Sequence, residues 1–160
     1  QGWFADRVVS DTEELIYDIG RGNFTVNADK VAIFAGKSGG VHKMGECTFR
    51  TDNDRAAVAI FPLDGKAVKE STHLLVYAMG RCTNTDREWE GDTMLTHGTE
   101  PVIYENIVGT LMLPGESKTC TGWRLDTLGY RVAEILVTQL KNELCVHLGG
   151  GHLYELVIEK

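Results

Sequence analysis

The chain has 160 residues, which suits a single domain that can bury its own hydrophobic core. Its net charge is −7 with no basic cluster, so we expect no nucleic-acid partner, because an acidic surface repels phosphate backbones. No apolar run in the sequence approaches the roughly 20 residues of a membrane-spanning helix, so we expect no membrane contact.

Short β-type runs follow one another along the chain, separated by turns rich in Gly, Asn and Asp. The runs at 14–19 and 23–27 flank two glycines and predict a hairpin. Further strands are predicted at 30–35, 46–50, 56–61, 71–83, 101–104, 107–113, 119–125, 130–138, 143–148 and 153–159, with the glycines at 149–151 joining the last two as a hairpin. This spacing predicts an all-β chain, a two-sheet antiparallel β-sandwich of jelly-roll type, with residues 1–160 forming one module.

The stretch 63–89 carries the strongest local signal. It opens with Asp64-Gly65, a tight-turn pair, because Gly readily adopts the positive φ that a short hairpin needs. In the strand that follows, Val76 and Cys82 fall on a small apolar face, and Tyr77 falls on a mixed one. A polar loop containing Trp89 comes next.

Four cysteines stand at 47, 82, 120 and 145, with no Cys-x-x-Cys pair and no histidine at zinc-finger spacing. Buried free thiols are the preferred interpretation, since Cys82 falls on an apolar strand face and Cys145 lies between two aliphatic residues. One or two disulfides in an oxidising compartment are the alternative.

Four segments together resemble a known module. They are 63–85, from Leu-Asp-Gly-Lys through Asn-Thr; 10–18 with 22–27; 98–105; and 108–113. In this order they are similar to the module that stands behind a (βα)8-barrel glycoside hydrolase domain in large bacterial polysaccharide-degrading enzymes. These segments are strand and turn patterns, and none is a catalytic motif.

The resemblance implies a non-catalytic module of a secreted, extracellular enzyme that either binds a glycan or supports the catalytic barrel. The implied partners are a polysaccharide and the catalytic domain of the parent enzyme, with the module itself a monomer. We expect the polysaccharide to be a plant cell-wall β-glucan such as cellulose, xyloglucan or mixed-linkage glucan. The loop at 84–92 is more charged than is usual in such modules.

Trp89 is the best candidate for contact with a sugar. Sugar rings pack their C–H faces on aromatic rings, and their hydroxyls bind planar polar groups. Trp89 lies between two glutamates in the polar loop, although it could instead fold back on the sandwich edge. Burial is the simpler interpretation for Trp3, Trp123 and Tyr77. The predicted ligand-binding residues are Trp89, Trp123, Asn84, Asp86, Arg87, Glu88 and Tyr77.

Catalysis is not expected, because the sequence has no Gly-x-Ser-x-Gly elbow, no Walker-type loop and no His-Glu-x-x-His. Acidic residues are scattered over every loop, so no carboxylate pair stands out for glycoside hydrolysis. We expect no cofactor and no metal site. A structural calcium ion at the oxygen-rich turns 52–54 and 86–92 is the alternative, although solvated turns without a metal are the preferred interpretation.

Overall fold

The computed structural model describes residues 6–115 and 119–159, so the prediction for Trp3 lies outside the described residues. Within these ranges the chain forms strands, turns and loops and contains no α-helix. The all-β prediction is confirmed. Among the same residues no helix is long and apolar enough to cross a membrane.

The described residues form eighteen strands. They are β1 (Arg7–Val9), β2 (Leu15–Asp18), β3 (Asn23–Ala28), β4 (Val31–Lys37), β5 (Gly40–Met44), β6 (Cys47–Thr51), β7 (Arg55–Pro62), β8 (His73–Met79), β9 (Cys82–Thr85), β10 (Glu88–Glu90), β11 (Thr93–Thr96), β12 (Thr99–Tyr104), β13 (Gly109–Pro114), β14 (Thr119–Leu125), β15 (Arg131–Ile135), β16 (Val137–Gln139), β17 (Glu143–Leu148) and β18 (Leu153–Glu159).

Two large antiparallel sheets pack face to face as a sandwich. The wider sheet has nine strands in the order β1-β2-β3-β4-β7-β8-β18-β14-β15, and the narrower has five in the order β16-β17-β13-β6-β5. Phe34 and Val58 of the wide sheet share one core with Phe49 and Leu111 of the narrow sheet. The jelly-roll subtype stays a prediction.

The two sheets differ in width, and this shapes the surface. Edge strand β5 of the narrow sheet contacts β3 and β4, while β16 and β17 at the other edge contact β14 and β15. Strands β1 and β2 lie beyond β3 in the wide sheet, past the strands with which β5 makes its main contacts across the sandwich.

The predicted strand 71–83 is interrupted. Strand β8 ends at Met79, and Cys82 begins β9 in a separate two-stranded sheet. Gly80 donates its amide to the Glu105 carbonyl at 2.9 Å, and a Cβ at Gly80 would lie only 2.9 Å from Glu105, so the close approach diverts the chain here. The prediction that Cys82 is buried is wrong, because its side chain is exposed. All four cysteines are free; Cys47 is buried, and Cys120 and Cys145 are half-buried.

The turn predicted at Asp64-Gly65 is part of a longer connection in the structure. Gly65 has the expected positive φ of 73°, but β7 and β8 are joined by all of residues 63–72. Asp64 organises this longer connection by accepting the Thr72 amide at 2.9 Å and the Ser71 hydroxyl at 2.8 Å. These hydrogen bonds, that of the Thr72 amide above all, lower the pKa of the Asp64 carboxyl.

The glycines at 149–151 do not form the predicted hairpin. Strand β17 belongs to the narrow sheet and β18 to the wide one, so the glycine segment crosses between the sheets. The buried Tyr154 hydroxyl stabilises the crossing by accepting the Gly149 amide at 3.1 Å and donating to the Gly151 carbonyl at 2.7 Å.

Candidate functional site

Residues 82–104 leave the sandwich as an excursion that we call the arm. Strands β9 and β12 pair at its base, and β10 and β11 pair beyond them. The predicted polar loop is therefore largely a hairpin. Asn53 joins the turn before β7 to the segment that follows the arm, because its Nδ2 donates to Glu105 Oε1 at 2.9 Å and to the Asn106 carbonyl at 3.2 Å.

Trp89 lies on β10 of the arm, and its side chain is 53% exposed. Of the two alternatives that the sequence left open, the exposed indole is the one observed. The Arg87 guanidinium lies over the ring, with its central carbon 4.6 Å from the ring centroid. One face of the indole is therefore covered by a cation.

The other predicted residues of the arm have unequal freedom to bind. Asn84 donates its side-chain amide to the His97 carbonyl at 2.9 Å, so it holds the arm together. Asp86 and Glu88 are exposed, and Asp86 adopts a positive φ of 57° between β9 and β10. Arg87 Nε is buried and has no hydrogen-bond partner among the described residues.

Trp123 and Tyr77 lie on the wide sheet rather than on the arm, so the structure divides the predicted residues between two parts of the fold. The Arg131 guanidinium covers the Trp123 ring, with its central carbon 3.7 Å from the centroid. The Tyr77 hydroxyl donates to Met79 Sδ at 3.1 Å. Both side chains are half-buried rather than buried, and the prediction that they contact a ligand stays a prediction.

The side of the wide sheet that faces away from the narrow sheet, which we call the outer face, carries two unbroken apolar rows. Residues paired across antiparallel strands share a face. The register gives the first row as Leu15, Val26, Ile33, Ala59, Tyr77 and Leu153. The second row is Val8, Tyr17, Phe24, Ala35, Ala57 and Met79. Each row crosses six strands, a width of about 25 Å.

Several side chains of the outer face are open to solvent, including Tyr17 at 48% and Leu15 at 44%. Sequence analysis missed this face, although a signal was present. Strands 31–35 and 57–61 are apolar at consecutive positions, which is typical of strands that are covered on both sides.

A polar cluster on the same outer face adjoins the rows. Glu155 accepts from Arg131 Nε at 2.6 Å and contacts His73 Nε2 at 2.6 Å. Its side chain is only 14% exposed. The hydrogen bonds, first from Arg131 and then from His73, lower the pKa of Glu155 to about 2. The cluster therefore satisfies its own charges.

The turn at 52–54, one of the two considered for calcium, uses its side chains in direct contacts. Asn53 Oδ1 accepts the Thr51 hydroxyl at 2.8 Å, and Asp54 pairs with Arg81 at 3.1 Å. Within residues 6–115 and 119–159 no group of three or more His, Cys, Asp or Glu side chains is placed to hold a metal. The expectation of no cofactor, with structural calcium as the open alternative, stays a prediction.

Comparisons with family models, with curated proteins and with solved structures find no match to this chain. The described residues offer two candidate surfaces for the expected roles. One is the arm, with an exposed indole and flanking charges. The other is the outer face, whose apolar rows include the exposed side chains of Leu15 and Tyr17.

Proposed function

We propose that this chain is a non-catalytic β-sandwich module of a secreted polysaccharide-degrading enzyme, and that its outer face packs on the enzyme's catalytic domain. The observation that carries the proposal is the pair of apolar rows, which cross six strands without a charged residue. A sheet surface that faces water normally alternates with polar residues. A contiguous exposed apolar surface marks an interaction site.

The chemistry of the rows favours a folded protein domain over a glycan as the partner. A glycan needs hydrogen-bonding groups beside the aromatic rings. The rows supply two tyrosine hydroxyls, and that of Tyr77 already donates to Met79. The neighbouring cluster of Glu155, Arg131 and His73 can be covered without leaving a charge unpaired, because its members already bind one another.

Binding of the separately produced catalytic domain tests this proposal. We expect the wild-type module to bind it, and Leu15→Lys or Tyr17→Lys to weaken binding at least about tenfold by placing a charge in an apolar contact. Leu128→Lys is the matched control, since Leu128 is 80% exposed in the turn after β14. Equal affinity of the outer-face variants and the control, or no binding by the wild type, would refute the proposal. Circular dichroism establishes that each variant is folded.

Glycan binding by the arm is a second candidate function, and the exposed indole of Trp89 favours it. Because Arg87 covers one face of the ring, a pyranose of a β-glucan has the opposite face to stack on. The exposed carboxylates of Glu88, directly before Trp89, and of Asp86, three positions before it, can accept hydrogen bonds from sugar hydroxyls.

Affinity electrophoresis in xyloglucan and in mixed-linkage glucan tests the second function. We expect retardation of the wild type that Trp89→Ala abolishes and Trp123→Ala preserves, because Trp123 lies on the wide sheet and not on the arm. Unretarded wild type in both glucans contradicts glycan binding, as does a Trp89→Ala variant that is retarded as strongly as the wild type. Neither outcome tests the docking proposal, because the wild type and Trp89→Ala both retain the two apolar rows of the outer face.

A further inference from the structure

A groove opens between edge strand β5 and the inner side of β1–β3. It has a volume of about 450 Å³, within the range of small-molecule sites. Its walls come from β1, β2, β3 and β5 and from the turn at Arg21. The groove lies on the opposite side of β1–β3 from the outer face, so it does not depend on what the outer face binds.

The groove is cationic in a protein whose net charge is −7. Arg7, Arg21 and Lys43 line it, against the single carboxylate of Asp18. Asp18 is already engaged, because it accepts the Arg21 amide at 2.8 Å and lies 3.7 Å from Arg21 Nε. Within the described part of the chain, neither Arg7 nor Lys43 forms an ion pair. Arg7 and Lys43 thus line the groove without forming an ion pair there, and Arg7 lies directly across from Asp18 in the strand register.

Neutral hydrogen-bonding groups lie along the groove between these charges. Asn23, Thr25 and Asn27 are alternate residues of β3 on its inner side, spaced by about 7 Å along the strand. Covered core strands carry apolar residues at such positions, as β4 does with Phe34. A row of amides and a hydroxyl beside unpaired cations fits a ligand that bears both hydroxyls and acid groups.

The pKa of His42 responds to the charges around the groove. Its ring stacks on Phe34 at 4.0 Å between centroids, and its Nε2 is buried without a hydrogen-bond partner in the described ranges. Burial first, and then the nearby charge of Arg21, lower the pKa of His42. The His42 imidazole lines the groove together with Arg7, Arg21 and Lys43.

We propose that this groove binds an acidic saccharide, a sugar chain that carries carboxylate or sulfate groups. The cations bind the acid groups, and the row on β3 binds the hydroxyls. Either acid group can pair with the cations, so carboxylated and sulfated sugars are tested separately in the same experiment.

Calorimetric titration of the wild-type chain with an oligogalacturonate, a sulfated galactan oligosaccharide, a neutral cello-oligosaccharide and inorganic sulfate tests the proposal. We expect at least one acidic oligosaccharide to bind at least about tenfold more tightly than the neutral one and than sulfate alone. The acidic oligosaccharide that binds more tightly shows whether the groove prefers carboxylate or sulfate groups. Affinity should fall as salt rises, because the contacts are ionic.

Charge-removal variants locate the binding. Lys43→Gln and Arg7→Gln should each weaken acidic-saccharide binding about tenfold. Lys141→Gln, in the turn before β17, is the matched control and should bind as the wild type does. The bound anion should also raise the pKa of His42, measured by NMR of its ring protons, because it offsets the charge of Arg21.

Four results would overturn the inference. They are equal affinity for neutral and acidic oligosaccharides, wild-type affinity in both charge-removal variants, sulfate alone binding as tightly as any saccharide, and absence of binding by every probe. Circular dichroism of each variant separates lost binding from lost folding.

Discussion

The Glu155 side chain joins three strands of the wide sheet. It lies on β18 and binds His73 of β8 on one side and Arg131 of β15 beyond β14 on the other. We predict that Glu155→Gln lowers the free energy of unfolding at pH 7 by about 1–2 kcal/mol, because it removes the charge from both contacts. Urea unfolding measures this.

The pH dependence of the Glu155 effect follows from its lowered pKa. Because the folded-state pKa is about 2 against an ordinary 4.5, the stabilisation is present above pH 4.5 and is lost as the pH falls towards 2. The difference between wild type and Glu155→Gln should therefore shrink over this range. Glu143→Gln, at an exposed position of β17, is the control and should lose little stability. A difference that stays constant down to pH 2 would contradict the assignment.

The thiols should differ sharply in reactivity. Cys82 is exposed, whereas burial first, and then the charge of Glu46, raise the pKa of Cys47 to about 12. We predict that one fast phase of labelling by a disulfide reagent at pH 8 belongs to Cys82 and that Cys47 reacts last, since the thiolate is the reactive form. Cys82→Ser should remove the fast phase. A fast phase that persists in Cys82→Ser would contradict the structure. Unfolded protein, in which all thiols react alike, is the reference sample.

Some single-residue properties could be predicted from sequence and others could not. The polar neighbours of Trp89 made its exposure one of two clear alternatives. The exposure of Cys82 was not predictable, because strand alternation was extended through Gly80, where contact with the distant Glu105 diverts the chain. The Arg131 cover on Trp123 joins β15 to β14, and no local pattern indicates such a contact.

Among the elements, the arm depends on a glycine at one position. Gly98 has a positive φ of 74°, and a Cβ there would collide with the Thr85 carbonyl oxygen on the opposite strand. Gly91, with a φ of 58° in the turn between β10 and β11, has open space around it. The two glycines thus share the backbone requirement and differ in packing.

We predict that Gly98→Ala opens the arm and that Gly91→Ala does so much less. Gly91→Ala costs about 1 kcal/mol from the left-handed backbone alone, and Gly98→Ala adds the collision. Trypsin cleavage after Arg87 measures opening, and we expect it to be about tenfold faster in Gly98→Ala than in Gly91→Ala. Equal cleavage rates in the two variants would show that the packing of Gly98 against Thr85 does not hold the arm closed.

Elements with strong local signals were predictable. The hairpin of β2 and β3 is confirmed, because alternating runs flank a glycine turn. The pairing of β10 with β11 was missed, because the charged neighbours of Trp89 indicated a loop. The crossing at 149–151 was mistaken for a hairpin, because the choice of sheet for β18 is decided by core packing rather than by the glycines.

For the molecule as a whole, the all-β class was predictable and the outer face was not. The apolar rows arise only when β4 pairs with β7 and β8 with β18, and these strands are distant in the chain. The sequence shows that strands such as 31–35 are apolar on both sides. It does not show which strands pair with them, and that pairing decides whether the apolar residues form continuous rows. The groove between β5 and β1–β3 likewise depends on the completed topology.

Hydroxyl-radical footprinting of the isolated chain and of the intact parent enzyme tests the docking proposal most directly. The proposal predicts that Tyr17, Phe24 and Met79 of the outer face are labelled in the isolated chain and protected in the enzyme. Tyr130, exposed in the turn between β14 and β15, should be labelled equally in both. Equal labelling of the three outer-face residues in the two samples would contradict the proposal that this face packs on the catalytic domain.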